Sequence, residues 1–130
     1  MSWQAYVDSS LVGTGTVDKG AIFNSEGNSV WAVSSGYKVT PQEVQKIVAA
    51  YKDTKDVKDI QGTGFYIAGD KFITIKADDR SIYGKKGKEG VVIVKTKQAI
   101  LIGHYPEHVQ PGSAANTVEK LADYLVGVGY

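Results

Sequence analysis

A chain of 130 residues, 42% hydrophobic and 22% charged, is long enough for one domain with its own hydrophobic core. A formal net charge of +1 gives no global pull toward nucleic acid, and the absence of cysteine excludes a disulfide framework, thiol catalysis and a Cys-ligated zinc site. The N-terminus lacks the basic region and apolar run of a signal peptide, no apolar run approaches membrane-spanning length, and there is no N-glycosylation sequon.

The chain opens with Ser2 as the cap of a short helix running to about Leu11, ended by Gly13 and Gly15. Trp3 and Tyr6 stand three residues apart and so share one helical face. Either they anchor this helix in the core, or they cluster on one surface with Tyr124 and Tyr130 of the C-terminal stretch. Val17 to Phe23 and Ser29 to Val33, split by Glu26-Gly27-Asn28, read as a hairpin that carries Trp31. Thr40-Pro41-Gln42-Glu43 is a capping box with proline at the first helical position, and Val44, Ile47, Val48 and Tyr51 give the helix one buried stripe.

Lys52 to Asp59, with three Lys, three Asp and one apolar residue, reads as a solvated connection or a frayed helical end, without chemistry. Phe65 to Ala68 with Phe72 to Ala77, then Ser81 to Lys85 with Val91 to Thr96, read as hairpins, and Ala99 to Tyr105 as a further strand. Short strands with tight turns predict an antiparallel meander. The unbroken apolar runs Val91 to Val94 and Ala99 to Ile102 need cover on both faces. The fold class is therefore α+β, a central antiparallel sheet with helices packed on it. The last helix starts near Pro111 to Ser113, with Val118, Leu121, Ala122 and Leu125 as its apolar stripe. At about 100° per residue, Tyr124 falls roughly 110° from the stripe's centre, on the flank of the helix.

Several chemical motifs fail on context. His104-Tyr105-Pro106-Glu107-His108 matches the H-x-x-E-H zinc peptidase pattern, but that chemistry needs a helix, and Pro106 disfavours one. The two histidines read instead as a strand end and a surface loop residue. The run Gly13 to Gly20 lacks the G-K-[ST] ending of a phosphate loop and follows a helix. Asp78-Asp79 is read as a turn or as a salt bridge to Arg80. No metal or cofactor site is expected.

Charge distribution says more. Lys76, Arg80, Lys85, Lys86, Lys88, Lys95 and Lys97 face three acids between Lys76 and Lys97, an excess of four positive charges, so the remainder of the chain has an excess of three negative ones. This is either a solvated edge guarded by lysines or a surface for an acidic protein or an anionic headgroup.

The opening SWQAYVD (Ser2 to Asp8), Val30-Trp31-Ala32, ADDRSIYGKKG (Ala77 to Gly87) and the close KLADYLVGVGY (Lys120 to Tyr130), in this order, resemble the profilins of fungi and amoebae. The resemblance runs end to end and implies one domain over residues 1–130. It implies a fold in which the terminal helices pack together on one face of the sheet and smaller helices cover the other. It implies a non-enzymatic, monomeric protein of the cytoplasm and cytoskeleton that joins monomeric actin to proline-rich proteins and regulates actin polymerisation. A polyproline surface maps onto Trp3, Tyr6, Trp31, Tyr124, Leu125 and Tyr130, although other profilins carry His where Tyr124 stands. An actin surface maps onto Lys76, Arg80, Tyr83, Lys85, Lys86, Lys95, Gly112, Asn116 and Lys120. Phosphoinositide headgroups are implied partners of Lys76, Arg80, Lys85 and Lys86, and a peripheral phosphoinositide-binding protein without actin function is the alternative reading.

Overall fold

The computed structural model describes residues 2–130. Seven strands form one antiparallel sheet in the order β2-β1-β7-β6-β5-β4-β3. They are β1 (Lys19–Asn24), β2 (Val30–Val33), β3 (Phe65–Ile67), β4 (Asp70–Ala77), β5 (Ser81–Lys86), β6 (Glu89–Lys95) and β7 (Ala99–Tyr105). Strands β3 to β7 are the expected meander. The first hairpin then adds to its end, because β1 pairs with β7.

The helices are α1 (Trp3–Ala5), α2 (Pro41–Lys52), α3 (Asp59–Thr63) and α4 (Pro111–Gly127). Alternation along the strands divides the core in two. Ile82, Val91, Ile93, Ile100 and Ile102 face α2 and α3 with Val44 and Ile47. Val92, Val94 and Leu101 face α1 and α4 with Val118, Leu121 and Leu125. Every residue of β7 is buried, as the unbroken apolar runs require. Gly103 lets α4 lie close to the sheet, since a Cβ there would stand 2.7 Å from the Val118 side chain.

One expectation changes and two gain detail. The N-terminal helix does not stay α-helical to Leu11. After Ala5 it widens into a π-helix over Tyr6–Leu11, closed by a hydrogen bond from Val12 N–H to the Val7 carbonyl. The connection from Lys52 to Asp59 is not uniformly solvated. Lys58 is buried, its ammonium donating to the carbonyls of Ala50 (2.7 Å) and Asp53 at the end of α2. A cation there satisfies orphan carbonyls and meets the negative end of the helix dipole. Of the two readings of Asp78-Asp79, the turn is the one that forms. The Asp78 carboxylate accepts from the backbone N–H of Arg80 and Ser81 and pairs with Lys76 at 3.6 Å.

The histidines separate. His108 is exposed in a turn, while His104 is buried within β7, with Nδ1 2.6 Å from Asp18 and Nε2 3.0 Å from Glu89. A strand cannot bring His104 and His108 onto one helical face, so the peptidase geometry is not formed.

Candidate functional site

Ser2 accepts from the Ala5 N–H at 3.1 Å and starts α1, which projects Trp3 and Tyr6 to one side. The Trp3 ring lies 4.6 Å from Trp31, 5.6 Å from Tyr6 and 5.0 Å edge-on from Tyr130, and Tyr6 lies 6.2 Å from Tyr124. Five aromatic rings from both ends of the chain and from β2 thus form one platform. Trp3, Tyr6 and Trp31 are partly buried, while Tyr124 is 53% and Tyr130 40% exposed. Trp3 is therefore both an anchor and a surface residue. Partial desolvation, followed by the neighbouring Tyr124 hydroxyl, raises the Tyr6 pKa. Tyr6 is thus neutral, and able to donate a hydrogen bond, at ordinary pH.

Leu125 is fully buried beneath the platform, in the core between α4 and the sheet. It supports the rings from below and presents no side chain to a ligand. Thr96 and Gln98 enter instead, and the sequence reading did not select them. The Tyr130 carbonyl accepts from Gln98 N–H at 2.7 Å and from the Thr96 hydroxyl at 2.8 Å, and the Gln98 side chain donates to the Gly129 carbonyl at 3.1 Å. These bonds hold Tyr130 against Trp3. No local pattern announces them, because they join the β6–β7 turn to residues more than thirty positions away.

The basic residues do not form one patch. Tyr83 and Lys85 lie on the α4 side of β5, with Ile73, Ile75 and Lys76 of β4. A bulge between Thr74 and Lys76 lets Lys76 pair with Tyr83, its ammonium 5.1 Å from the ring centre. Ile75, Tyr83, Lys85, Tyr105 and Pro111 line a depression of about 220 Å³, with Gly112 at the adjoining start of α4. Ile73 and Ile75 are 68% and 63% exposed, which the sequence reading had not singled out. Lys86 and Lys95 alternate onto the opposite side of the sheet, with Ile82 and Ile93.

Ion pairs hold three of these cations. Lys86 meets Asp70 at 2.8 Å and Lys76 meets Asp78. Arg80 reaches Glu119 at 3.1 Å and Asp123 at 2.7 Å on α4. Glu119 also accepts from the hydroxyls of Ser81 (2.6 Å) and Tyr83, which fastens α4 to β5. Burial works against the Glu119 carboxylate, but these donors outweigh it and hold its pKa below the ordinary value. Burial and the bond to Glu119 push Tyr83 up to about 12.

A depressed folded-state pKa contributes stability above the unfolded carboxylate range, near pH 4.3, and that contribution is lost as pH falls through the folded value. Glu119→Gln should therefore cost roughly 1–2 kcal/mol at pH 7 through its weakened charge-assisted bonds. The cost should shrink toward zero as pH falls below the ordinary carboxylate range and through the lowered folded-state value. Urea unfolding of both proteins across this range checks it, and a pH-independent difference would deny Glu119 the role of an ionised latch.

Asn116 and Lys120 sit on the outer flank of α4. There they line a groove shared with Tyr6, Ser10 and Tyr124, not the depression beside β5.

Known proteins place this arrangement in context. A model of the profilin family matches residues 1–130. The profilin of Schizosaccharomyces pombe is 55% identical over 130 residues, covering all of both chains. Its crystal structure superposes with a TM-score of 0.93 over 99% of this chain and 100% of that one. Two distant structures share the fold. Mouse profilin IIa, in complex with a double repeat from the FH1 domain of mDia1, has 23% identity and a TM-score of 0.81, covering 100% of both chains. LokiProfilin2, in complex with rabbit actin, has 18% identity and a TM-score of 0.80, covering 98% of this chain and 99% of that one.

Proposed function

The chain belongs to the profilin family, and from that premise we propose that it is a non-enzymatic, monomeric actin-binding protein of the cytoplasm. It joins actin monomers to proline-rich ligands and so regulates polymerisation. The observation that carries this reading is the five-ring platform of Trp3, Tyr6, Trp31, Tyr124 and Tyr130. A polyproline II ligand arrives extended, without internal hydrogen bonds, so little ordering entropy opposes binding. Aromatic faces pack on proline rings while Trp N–H and Tyr O–H donate to ligand carbonyls.

Both tryptophans of the chain stand in the platform, so intrinsic emission reports occupancy without a label. Polyproline should change that emission saturably, and the protein should be retained on a polyproline column. Unaltered emission together with passage straight through the column would end this reading.

For actin, the surface best supported is the α4 side of β4 and β5, with Ile73, Ile75, Tyr83, Lys85 and Gly112. Exposed isoleucines beside Lys85, which has no ion-pair partner among the described residues, are what a protein partner covers. Lys76 and Arg80 border it, Asn116 and Lys120 stand apart on the outer flank of α4, and Lys86 and Lys95 lie across the sheet and contribute least.

A second reading, phosphoinositide binding by Lys76, Arg80, Lys85 and Lys86, draws on the same excess of charge. The ion pairs of three of these cations weaken it. Vesicles containing phosphoinositide should bind weakly at low salt, and vesicles of neutral lipid not at all. Lys85→Gln should lower binding about fivefold, the effect of about 1 kcal/mol for one cation near an anionic surface. Sedimentation with vesicles measures this, and equal binding to neutral and anionic lipid would exclude a headgroup site.

A further inference from the structure

We infer that the groove between the N-terminal helix and α4 receives an acidic segment flanking the proline-rich core of a ligand, with Lys120 as its selecting residue. The inference rests on the polyproline reading of the aromatic platform and adds a preference for what stands beside the prolines.

The groove encloses about 630 Å³ and begins where the platform ends, because Tyr6 and Tyr124 line both. From there it follows α4 past Lys120 to Asn116, with Ser10 and Thr14 on its other wall. Tyr124 and Asn116 are two turns apart, about 12 Å at 1.5 Å per residue. A polyproline II chain rises 3.1 Å per residue, so this length takes about four residues.

The lining differs from the platform in kind. Proline has no N–H to give, and a run of prolines fits flat aromatic faces. The groove offers donors instead: the Lys120 ammonium, the Asn116 amide and the Ser10 hydroxyl. Among the described residues, these three side chains have no hydrogen-bond or ion-pair partner. Lys120 is the sole charged residue lining the groove. Its acidic helix neighbours, Glu119 and Asp123, are engaged by Arg80. An unpaired cation among unused donors, continuous with a proline platform, is complementary to a carboxylate-bearing flank.

The test uses synthetic peptides with one proline core and a four-residue flank of Asp and Glu, of Ser and Gly, or of Lys, placed at each end in turn. Tryptophan emission measures affinity. The acidic flank should bind at least fivefold more tightly than the Ser and Gly flank at one of the two ends, and the advantage should fade at 0.5 M salt. The Lys flank should bind most weakly. The ratio of acidic to neutral affinity should fall to about one in Lys120→Gln and persist in Lys120→Arg. Equal affinities for the three flanks in the wild-type protein, or an acidic advantage that survives Lys120→Gln, would overturn the proposal. Failure of every peptide, including the bare core, would overturn the platform reading and this one with it.

Discussion

Replacing Trp3 by alanine should reduce polyproline affinity thirtyfold or more. A central aromatic anchor typically contributes about 2 kcal/mol or more to binding, and each 1.4 kcal/mol is a factor of ten. Trp3 is central by geometry. Its ring contacts Tyr6, Trp31 and Tyr130, so its removal takes away one face of the platform and the support of three others. Tyr130 would keep its bonds to Thr96 and Gln98 but lose the ring it packs against. Because Trp3 also packs on the core beneath α1 and α4, folding must be read in parallel by circular dichroism and by actin binding. Trp3→Phe should recover part of the affinity, since a smaller ring restores part of the contact. A folded Trp3→Ala protein that binds polyproline as the wild type does would remove the platform from consideration.

Actin binding should respond to a different set of residues. Lys85→Glu and Ile75→Asp should each lower actin affinity about tenfold or more, roughly 1.4 kcal/mol, while polyproline binding stays intact. Tyr6→Asp should do the reverse. The depression at Ile75, Tyr83 and Lys85 lies beside β5 and the start of α4, whereas the rings gather where α1 meets the far end of α4. Helix α4 has 17 residues, about 25 Å at 1.5 Å per residue, and separates the two. A bare proline peptide should therefore remain bound when actin is added, and a ternary complex should form. A peptide whose acidic flank occupies Lys120 reaches toward the actin surface and should be partly displaced. The measurement is a competition titration of labelled peptide with monomeric actin. Full displacement of the bare peptide, or joint loss of both activities in one folded variant, would mean a single shared surface.

Local pattern carried much of the fold. The capping box at Thr40 and Glu43 forms both of its hydrogen bonds, at 3.3 and 2.9 Å, because it depends only on residues three apart. The apolar runs in β6 and β7 required two covered faces, and each receives a helical layer. The spacing of Trp3 and Tyr6, with Tyr124 and Tyr130 on the C-terminal stretch, brought four of the five rings into view as one possible surface cluster. The Trp3 and Tyr6 spacing rests on helical periodicity near a helix end, which the sequence displays directly.

Tertiary structure decided what periodicity cannot express. A bulge adds one residue to β4, and a period-two reading has no sign for it, so the face shared by Ile73, Lys76 and Tyr83 emerges only from the pairing register. The run from Lys76 to Lys97 reads equally as a solvated edge or as one basic surface. Pleating sends Lys85 and Lys95 to opposite sides, and Asp70, Glu119 and Asp123 arrive from elsewhere in the chain to pair its cations. Lys58 looked solvated because its neighbours in sequence are charged, yet its partners are carbonyls at the end of α2. Leu125 sits beside Tyr124 in sequence, but one step of about 100° turns it from the surface into the core. Composition and spacing report which groups are present and which face they favour. Whether a charge is free or paired, and whether a side chain meets solvent or the core, depends on contacts between segments far apart in the chain, and only the folded sheet with its two helical layers supplies them.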